Sequence, residues 1–302
     1  MSPLRISAIS YLNTAPLMWD FEHANASRDF DISYTLPSAC ARALRAGTAD
    51  IGIIPAAAYA QVPGLMVLPG VAIASRHPVR SILLVSRVPV AQIRTVALDT
   101  SSMTSVALTK ILFEKWLGGG RTFTSMEPNV EKMLAQHDAA LVIGDPALQI
   151  DRSRYLTFDL AEEWIRHTGK PFVFAFWAVR QDALEGALCG DSRPFGKLRA
   201  SSRLSESRSD ASVHGLDLAA IFQQSRDHGL QPASLDQIAR EWAPRLGLTE
   251  SDVNSYLTEN IYYYLDPPCL EGLQLFYRYA AQIGALPDAP DIRFLAANAA
   301  VV

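Results

Sequence analysis

The sequence predicts an α/β protein of two lobes that face each other across a cleft. Three features of its 302 residues point there. Short apolar runs alternate with helical stretches through short connections, the pattern of a parallel sheet covered by helices. The pattern occurs twice, once from residue 5 and again from about residue 87. Two long apolar segments, 81–86 and 172–179, flank the second unit, and laid side by side they make two crossover strands between the lobes. Lobe one then takes residues 1–86 and 178–302, and lobe two takes residues 87–177.

Taken in order, residues 5–9 read as a strand and 14–21 as a helix after Asn13-Thr14. Asp31 to Thr35 form a second strand. Pro37, suited to the first helical turn, opens a helix through Arg45 that Gly47 closes. Asp50 to Ile54 form a third strand, after which Pro55 starts a helical turn. In the second unit Thr95 to Leu98 is a strand and Asp99-Thr100-Ser101-Ser102 a loop. Thr104 to Trp116 follows as a helix with apolar residues at 106, 108, 111, 112 and 116 on one face. Gly118-Gly119-Gly120 ends it, and Ala139 to Ile143 is a short apolar strand before Gly144-Asp145-Pro146. Stretches 216–228, 234–246, 249–258 and 270–284 read as helices that complete lobe one. Residues 190–214, rich in Ser and Arg and without apolar periodicity, read as a flexible insertion.

Composition excludes several functions. The chain is 49% hydrophobic and 19% charged, ordinary for a globular protein, with 27 basic against 31 acidic residues and a net charge of −4. Binding to nucleic acid or an anionic membrane calls for a basic face, and this balance offers none. Cys40, Cys189 and Cys269 are odd in number and far apart, which argues against disulfides and a zinc site. The N-terminus runs straight into a strand with no signal-peptide pattern, and no apolar stretch approaches the ~20 residues that span a bilayer. A cytoplasmic protein is expected.

In open α/β sheets, ligands lie beyond the carboxyl ends of the strands. The polar loops at 10–14, 55–57, 100–105 and 144–145 all follow strands, so they are expected to converge on the cleft. They supply Ser10, Tyr11, Asn13, Thr14, Pro55, Ala56, Thr100, Ser101, Ser102, Thr104, Ser105, Gly144 and Asp145. Capping a helix needs one hydroxyl, yet five stand between Thr100 and Ser105. With free N–H groups at a helix start they predict a carboxylate or phosphate site. No GxxxxGK[ST] or GxGxxG occurs, so nucleotide binding has no support. His77, His137 and His167 lack metal-ligand spacing, and Ser10, Ser81 and Ser105 lack a nucleophile elbow. Asp145 reads as a base or as a group that pins its loop. Trp177 reads as core or cleft wall, and Tyr262-Tyr263-Tyr264 as packing.

The segments "RISAISYLNTAPL", "ADIGIIPAAAYA", "SILLVSRVPV", "VALDTSSMTSVALTKIL", "AALVIGDPAL", "DLAEEWIRHTGKPFVFAFWAVR" and "ENIYYYLDPPCLEGLQLFYRYA" occur in this order over nearly the whole chain. Together they resemble the chorismate dehydratases of the futalosine route to menaquinone. The resemblance implies a periplasmic-binding-protein type II fold used as an enzyme, with chorismate as a dianionic substrate. The product would be 3-[(1-carboxyvinyl)oxy]benzoate plus water, made without cofactor or metal by a monomer or homodimer. It implies that Asn13 and Ser81 act in catalysis, with Ser101, Ser102, Thr104 and Ser105 holding a carboxylate. Two departures stand out. The 190–214 insertion is foreign to the family, and Pro55-Ala56-Ala57 replaces a serine pair that members often carry, leaving only backbone N–H groups there.

Three other readings compete. A non-catalytic binding protein of the same fold would work outside the cytoplasm and calls for a signal peptide. A 1,4-dihydroxy-6-naphthoate synthase calls for a larger aromatic pocket and a cleft histidine. A regulatory sensing domain calls for a DNA-binding element.

Overall fold

A computed structural model describes residues 3–24, 30–184 and 216–295. Two five-stranded mixed sheets form its framework. The first contains β1 (Leu4–Ile9), β2 (Phe30–Thr35), β3 (Ile51–Pro55) and β4 (Leu65–Ser75). The second contains β5 (Ile82–Ser86), β6 (Thr95–Asp99), β7 (Thr122–Met126), β8 (Ala139–Ile143) and β9 (Leu156–Asp159). The tenth strand, β10 (Phe172–Arg180), returns to the first sheet, whose order is β2-β1-β3-β10-β4. The second has the order β7-β6-β8-β5-β9. In each, three parallel strands lie beside one antiparallel strand, β10 or β5. The two sheets therefore repeat one plan.

The two long apolar segments do not lie side by side as expected. β5 pairs with β8 and β9, whereas β10 pairs with β3 and β4. The chain crosses between sheets within residues 76–81 and again within 169–171, ahead of each segment. Both segments are buried on both faces, so each is apolar throughout whichever sheet it joins. Hydrophobicity alone cannot assign them.

Local chemistry explains most helices. After β1, a 3-10 segment (Leu12–Met18) precedes α1 (Trp19–His23), where one helix is expected. Pro16 has no N–H and its ring blocks α-helical pairing with the preceding turn, which favours the tighter winding. α2 (Pro37–Ala46) starts on Pro37 and ends on Gly47 at φ 70°, as its sequence predicts. The short α3 (Ala56–Tyr59) follows β3, and α4 (Thr104–Lys115) follows β6. α5 (Val130–Gln136) and α6 (Asp145–Leu148) flank β8. α7 (Leu160–Thr168), which the sequence reading leaves out, is capped by Asp159 accepting from the N–H groups of Ala161 and Glu162. β4, β7 and β9 are left out as well. Pro69-Gly70 interrupts β4, and β7 is a largely exposed edge strand without clear alternation.

Four helices close the fold: α8 (Leu216–Gly229), α9 (Pro232–Leu246), α10 (Glu250–Ser255) and α11 (Pro267–Gln282). The expected helix over 249–258 is instead α10 followed by a π-helical turn, Tyr256–Asn260. α8 packs on the 3-10 segment, α1 and β4, and α11 packs on β10 and α4. Trp177, Phe222, Phe172 and Phe276 are fully buried in this core. The expected insertion at 190–214, with Cys189 beside it, lies outside the described residues. No helix among the described residues is long and apolar enough to cross a membrane.

Candidate active site

The carboxyl ends of β1, β3, β6 and β8 meet at a pocket between the two sheets. It holds about 450 Å³ of empty space, open solvent at its mouth included. Tyr11, Asn13, Pro55, Ser102, Thr104, Ser105 and Gly144 line it, and all seven are sequence-predicted positions. Its floor and walls are apolar, with Ile9, Ile73, Ile82, Ile143 and Phe174 among them. A space of similar size in the second lobe, bounded by Leu84, Phe113 and Phe158, contains none of the predicted residues.

The predicted hydroxyls divide into distinct roles. Thr100 is exposed and donates to Glu127 Oε1 at 3.3 Å, away from the pocket. Ser101 Oγ donates to the buried Asp99 carboxylate at 2.6 Å. Thr104 Oγ1 accepts from Ala57 N–H and donates to Phe174 C=O, both at 3.1 Å, so it ties α4 to the first sheet. The N–H of Ala57, expected to face a ligand, is thus already bonded. Ser102 and Ser105 have no side-chain hydrogen bond among the described residues and face the pocket. No side chain caps α4, so its first-turn N–H groups are not consumed by capping. Of the five hydroxyls expected to serve an anion, only two, beside the helix start, are open to the pocket. Replacing Thr104 by Val is expected to destabilise the fold by about 1–3 kcal/mol, because two buried backbone groups lose their partner. A urea melt measures this, and an unchanged midpoint contradicts the tie.

Two more bonds cross the cleft. Asp145 Oδ1 accepts from Leu12 N–H at 3.0 Å, and Ser101 C=O accepts from Ser38 N–H at 3.1 Å. Asp145 pins its loop, as one of its two sequence readings has it, and it does not line the pocket. Burial pushes its carboxyl up to about 6, and the Leu12 N–H opposes that shift. The folded state therefore holds this proton more tightly than the unfolded chain. Stability falls as pH rises through the window from about 4 to 6, and is level above it. An Asp145→Asn protein keeps an acceptor for Leu12 and is expected to lose this slope, worth up to about 3 kcal/mol. Urea melts across pH 4–7 check it, and parallel curves for the two proteins would refute it.

Gly144 explains itself. Its φ of 66° and ψ of −147° lie where side-chain-bearing residues are rarely found. A Cβ there would come within 2.5–2.7 Å of the Tyr11 ring. Tyr11 therefore lies flat against the backbone of the opposite lobe, and burial raises its hydroxyl, with Ser101 opposing.

The remaining predicted residues fall outside the pocket lining. Ser10 is exposed and turned toward Thr35 C=O. Thr14 is buried, and its hydroxyl donates to Asn13 Oδ1 at 3.4 Å. Ala56 is buried, with its C=O accepting from Tyr277 Oη at 2.8 Å. Ser81 is fully buried behind Ile82 and accepts from Tyr256 Oη at 2.8 Å, while its C=O accepts from Gly144 N–H. Trp177 is core rather than cleft wall. Its ring packs on Phe222 at 4.7 Å, because alternation along β10 sends it to the helix-covered face. Phe174 takes the pocket position. His77, His137 and His167 do not line the pocket, and His167 stacks on Trp116. Of Tyr262-Tyr263-Tyr264, expected as packing, Tyr263 is buried, Tyr262 half-buried and Tyr264 exposed.

Sequence reasoning missed Phe174, the isoleucine walls and Tyr256. The strand-end isoleucines were findable as the residues just ahead of the polar loops. Tyr256 carries no local signal, since its contacts lie 175 residues away.

The family model for menaquinone biosynthesis matches residues 4–282. The chain belongs to the menaquinone biosynthesis family. A chorismate dehydratase of Thermus thermophilus is 27% identical over 308 residues, which cover 96% of this chain and 98% of that one. Among solved structures, a protein of Archaeoglobus fulgidus aligns with a TM-score of 0.65 at 14% identity, over 94% of this chain and 98% of that one. The periplasmic aliphatic sulphonate binding protein of Escherichia coli aligns with a TM-score of 0.60 at 16% identity, over 98% of both chains. This member of the menaquinone biosynthesis family thus has a periplasmic-binding-protein-like fold of two α/β lobes, as its sequence predicts.

Proposed function

We propose that the protein is a cytoplasmic chorismate dehydratase, a carbon–oxygen lyase that removes water from chorismate to give 3-[(1-carboxyvinyl)oxy]benzoate. The observation that carries this reading is the pocket itself. Its lining combines a neutral amide, Asn13, with an uncapped helix start that carries two open hydroxyls, Ser102 and Ser105. That arrangement suits a substrate with two carboxylates. Membership in the menaquinone biosynthesis family and the likeness to the Thermus chorismate dehydratase support the same reading.

The reaction asks little of the protein beyond orientation and electrostatics, because forming the aromatic ring drives it. A ring C–H breaks at a carbon conjugated through the ring alkene to the ring carboxylate, which delocalises the electron pair. The pair then forms the new ring double bond as the hydroxyl leaves, and with one proton it departs as water. The anion site at α4 holds one carboxylate, while Asn13 orients the reacting ring. The substrate's own enolpyruvyl carboxylate takes the ring proton. Asp145 is the alternative base, but it lies outside the pocket lining and already holds Leu12 N–H. The Asp145→Asn protein separates the two. Turnover within about tenfold of the native protein fits a substrate base, and loss of about 10²–10⁴-fold fits a protein base.

The direct test is to incubate the protein with chorismate, without metal or nucleotide, and follow products by chromatography and mass. A product lighter by one water with a benzoate absorption spectrum supports the reading. Unchanged chorismate from folded protein refutes it and favours a non-catalytic binder.

A further inference from the structure

β10 is irregular where it meets the pocket. In its antiparallel pairing with β4, Val173 stands opposite Ala74 and Ala175 opposite Ile73, so Phe174 is an extra residue with no partner there. This is a β-bulge. On the other side, the pairing with β3 begins only at Ala175, opposite Pro55. Pro55, Ile73, Phe174 and Ala175 all line the pocket, so the bulge lies in its wall. A bulge beside an active site bends its strand and re-aims a side chain. The Phe174 C=O accepts from Thr104 Oγ1 of α4 at 3.1 Å. Thr104 stands between Ser102 and Ser105, the two hydroxyls open to the pocket. One bond therefore ties the bulge to the helix start. The Phe174 ring also has little room to withdraw. It packs on the Phe172 ring at 4.7 Å, and Phe172 is fully buried against Phe276 at 5.2 Å.

From this geometry we infer that Phe174 is a specificity-determining residue that limits the site to dianions built on a single six-membered ring. The inference rests on the dehydratase reading above and deepens it, because it names the substrate class that the same pocket takes. The helix start holds one carboxylate, and the Thr104 bond fixes how far Phe174 stands from it. A ring seated between them packs its apolar face on Phe174 and the isoleucines of the wall. Dispersion is short-ranged, so the wall rewards a ring in contact and gains nothing from one held away. A second fused ring has to take space that Phe174 fills. The surrounding core is close-packed, so that space opens only at a cost.

The test measures binding by calorimetry, which does not depend on turnover. The probes are isophthalate, a single-ring dianion, and naphthalene-2,7-dicarboxylate, its two-ring counterpart. Native protein is expected to bind isophthalate at least about tenfold more tightly than the naphthalene compound. Phe174→Ala is expected to weaken isophthalate about tenfold, strengthen the two-ring dianion, and so move the ratio of the two affinities by more than about tenfold. A phenylalanine that merely packs the wall would weaken both ligands alike and leave the ratio where it was. A ratio within about threefold of native in Phe174→Ala overturns the inference. Native protein that binds both equally, or neither, overturns it as well. Should Phe174→Ala fail to fold, Phe174→Leu decides by the same ratio, with a shift of about fivefold expected and one within about threefold overturning the inference. Chorismate turnover by the native protein is followed alongside. A protein that selects the single ring yet leaves chorismate unchanged overturns the dehydratase reading alone, whereas turnover without selection overturns the role of Phe174 alone.

Discussion

An Asn13→Asp protein should fold normally and lose turnover of chorismate by about a thousandfold. Asn13 lies on the 3-10 segment after β1, 9% exposed, and lines the pocket. The substitution keeps the shape and replaces an N–H donor by a carboxylate oxygen. A dianion at about 4 Å then meets a like charge, and at an effective dielectric near 20 the repulsion is about 4 kcal/mol. A factor of ten in rate is about 1.4 kcal/mol, which gives the thousandfold figure. Asn13→Ala removes the donor without adding charge and should lose less. Steady-state kinetics beside a thermal melt separate the two effects. An Asn13→Asp enzyme within tenfold of native, with an unchanged melt, would remove Asn13 from the substrate-orienting role.

Gly144→Ala should combine a fold defect with a site defect. The glycine sits at φ 66° and ψ −147°, and an added Cβ meets Tyr11 Cε2, Cδ2 and Cζ at 2.5–2.7 Å. Holding alanine in that backbone region costs about 1–3 kcal/mol before any clash. The ring cannot retreat into solvent without opening the pocket wall that it forms, and the next residue, Asp145, is bonded to Leu12. The expected outcome is a lower urea midpoint together with kcat/KM reduced about 100-fold, since misplacing the lobes by about 1 Å has that effect on orientation. Native stability and turnover in the alanine protein would show that Tyr11 and the 144 loop are not in fixed register across the cleft.

Much of the fold was legible because its signals are local. Alternating strand and helix patterns, Pro37 and Gly47 around α2, and the polar loops after four strands each depend on a few consecutive residues. Seven of the predicted site residues reach the pocket for that reason. A loop at the carboxyl end of a strand has one direction in which to go. Counting hydroxyls between Thr100 and Ser105 located the helix start but overestimated how many of them are open to the pocket. A hydroxyl serves whichever acceptor is nearest, and Asp99, Glu127 and Phe174 are set by packing.

By itself, then, the sequence determined the repeated α/β plan, the positions of the four cleft loops and the uncharged character of the site. The tertiary structure decided which sheet receives β5 and β10, which face of β10 carries Trp177, and what Ser81 and Asn13 touch. The physical reason is range. Periodicity, capping and turn chemistry act over a few residues, whereas strand partnership and side-chain partners are chosen by contacts far apart in the chain. The Ser81–Tyr256 bond spans 175 residues and the Leu12–Asp145 bond 133. No local pattern encodes either one.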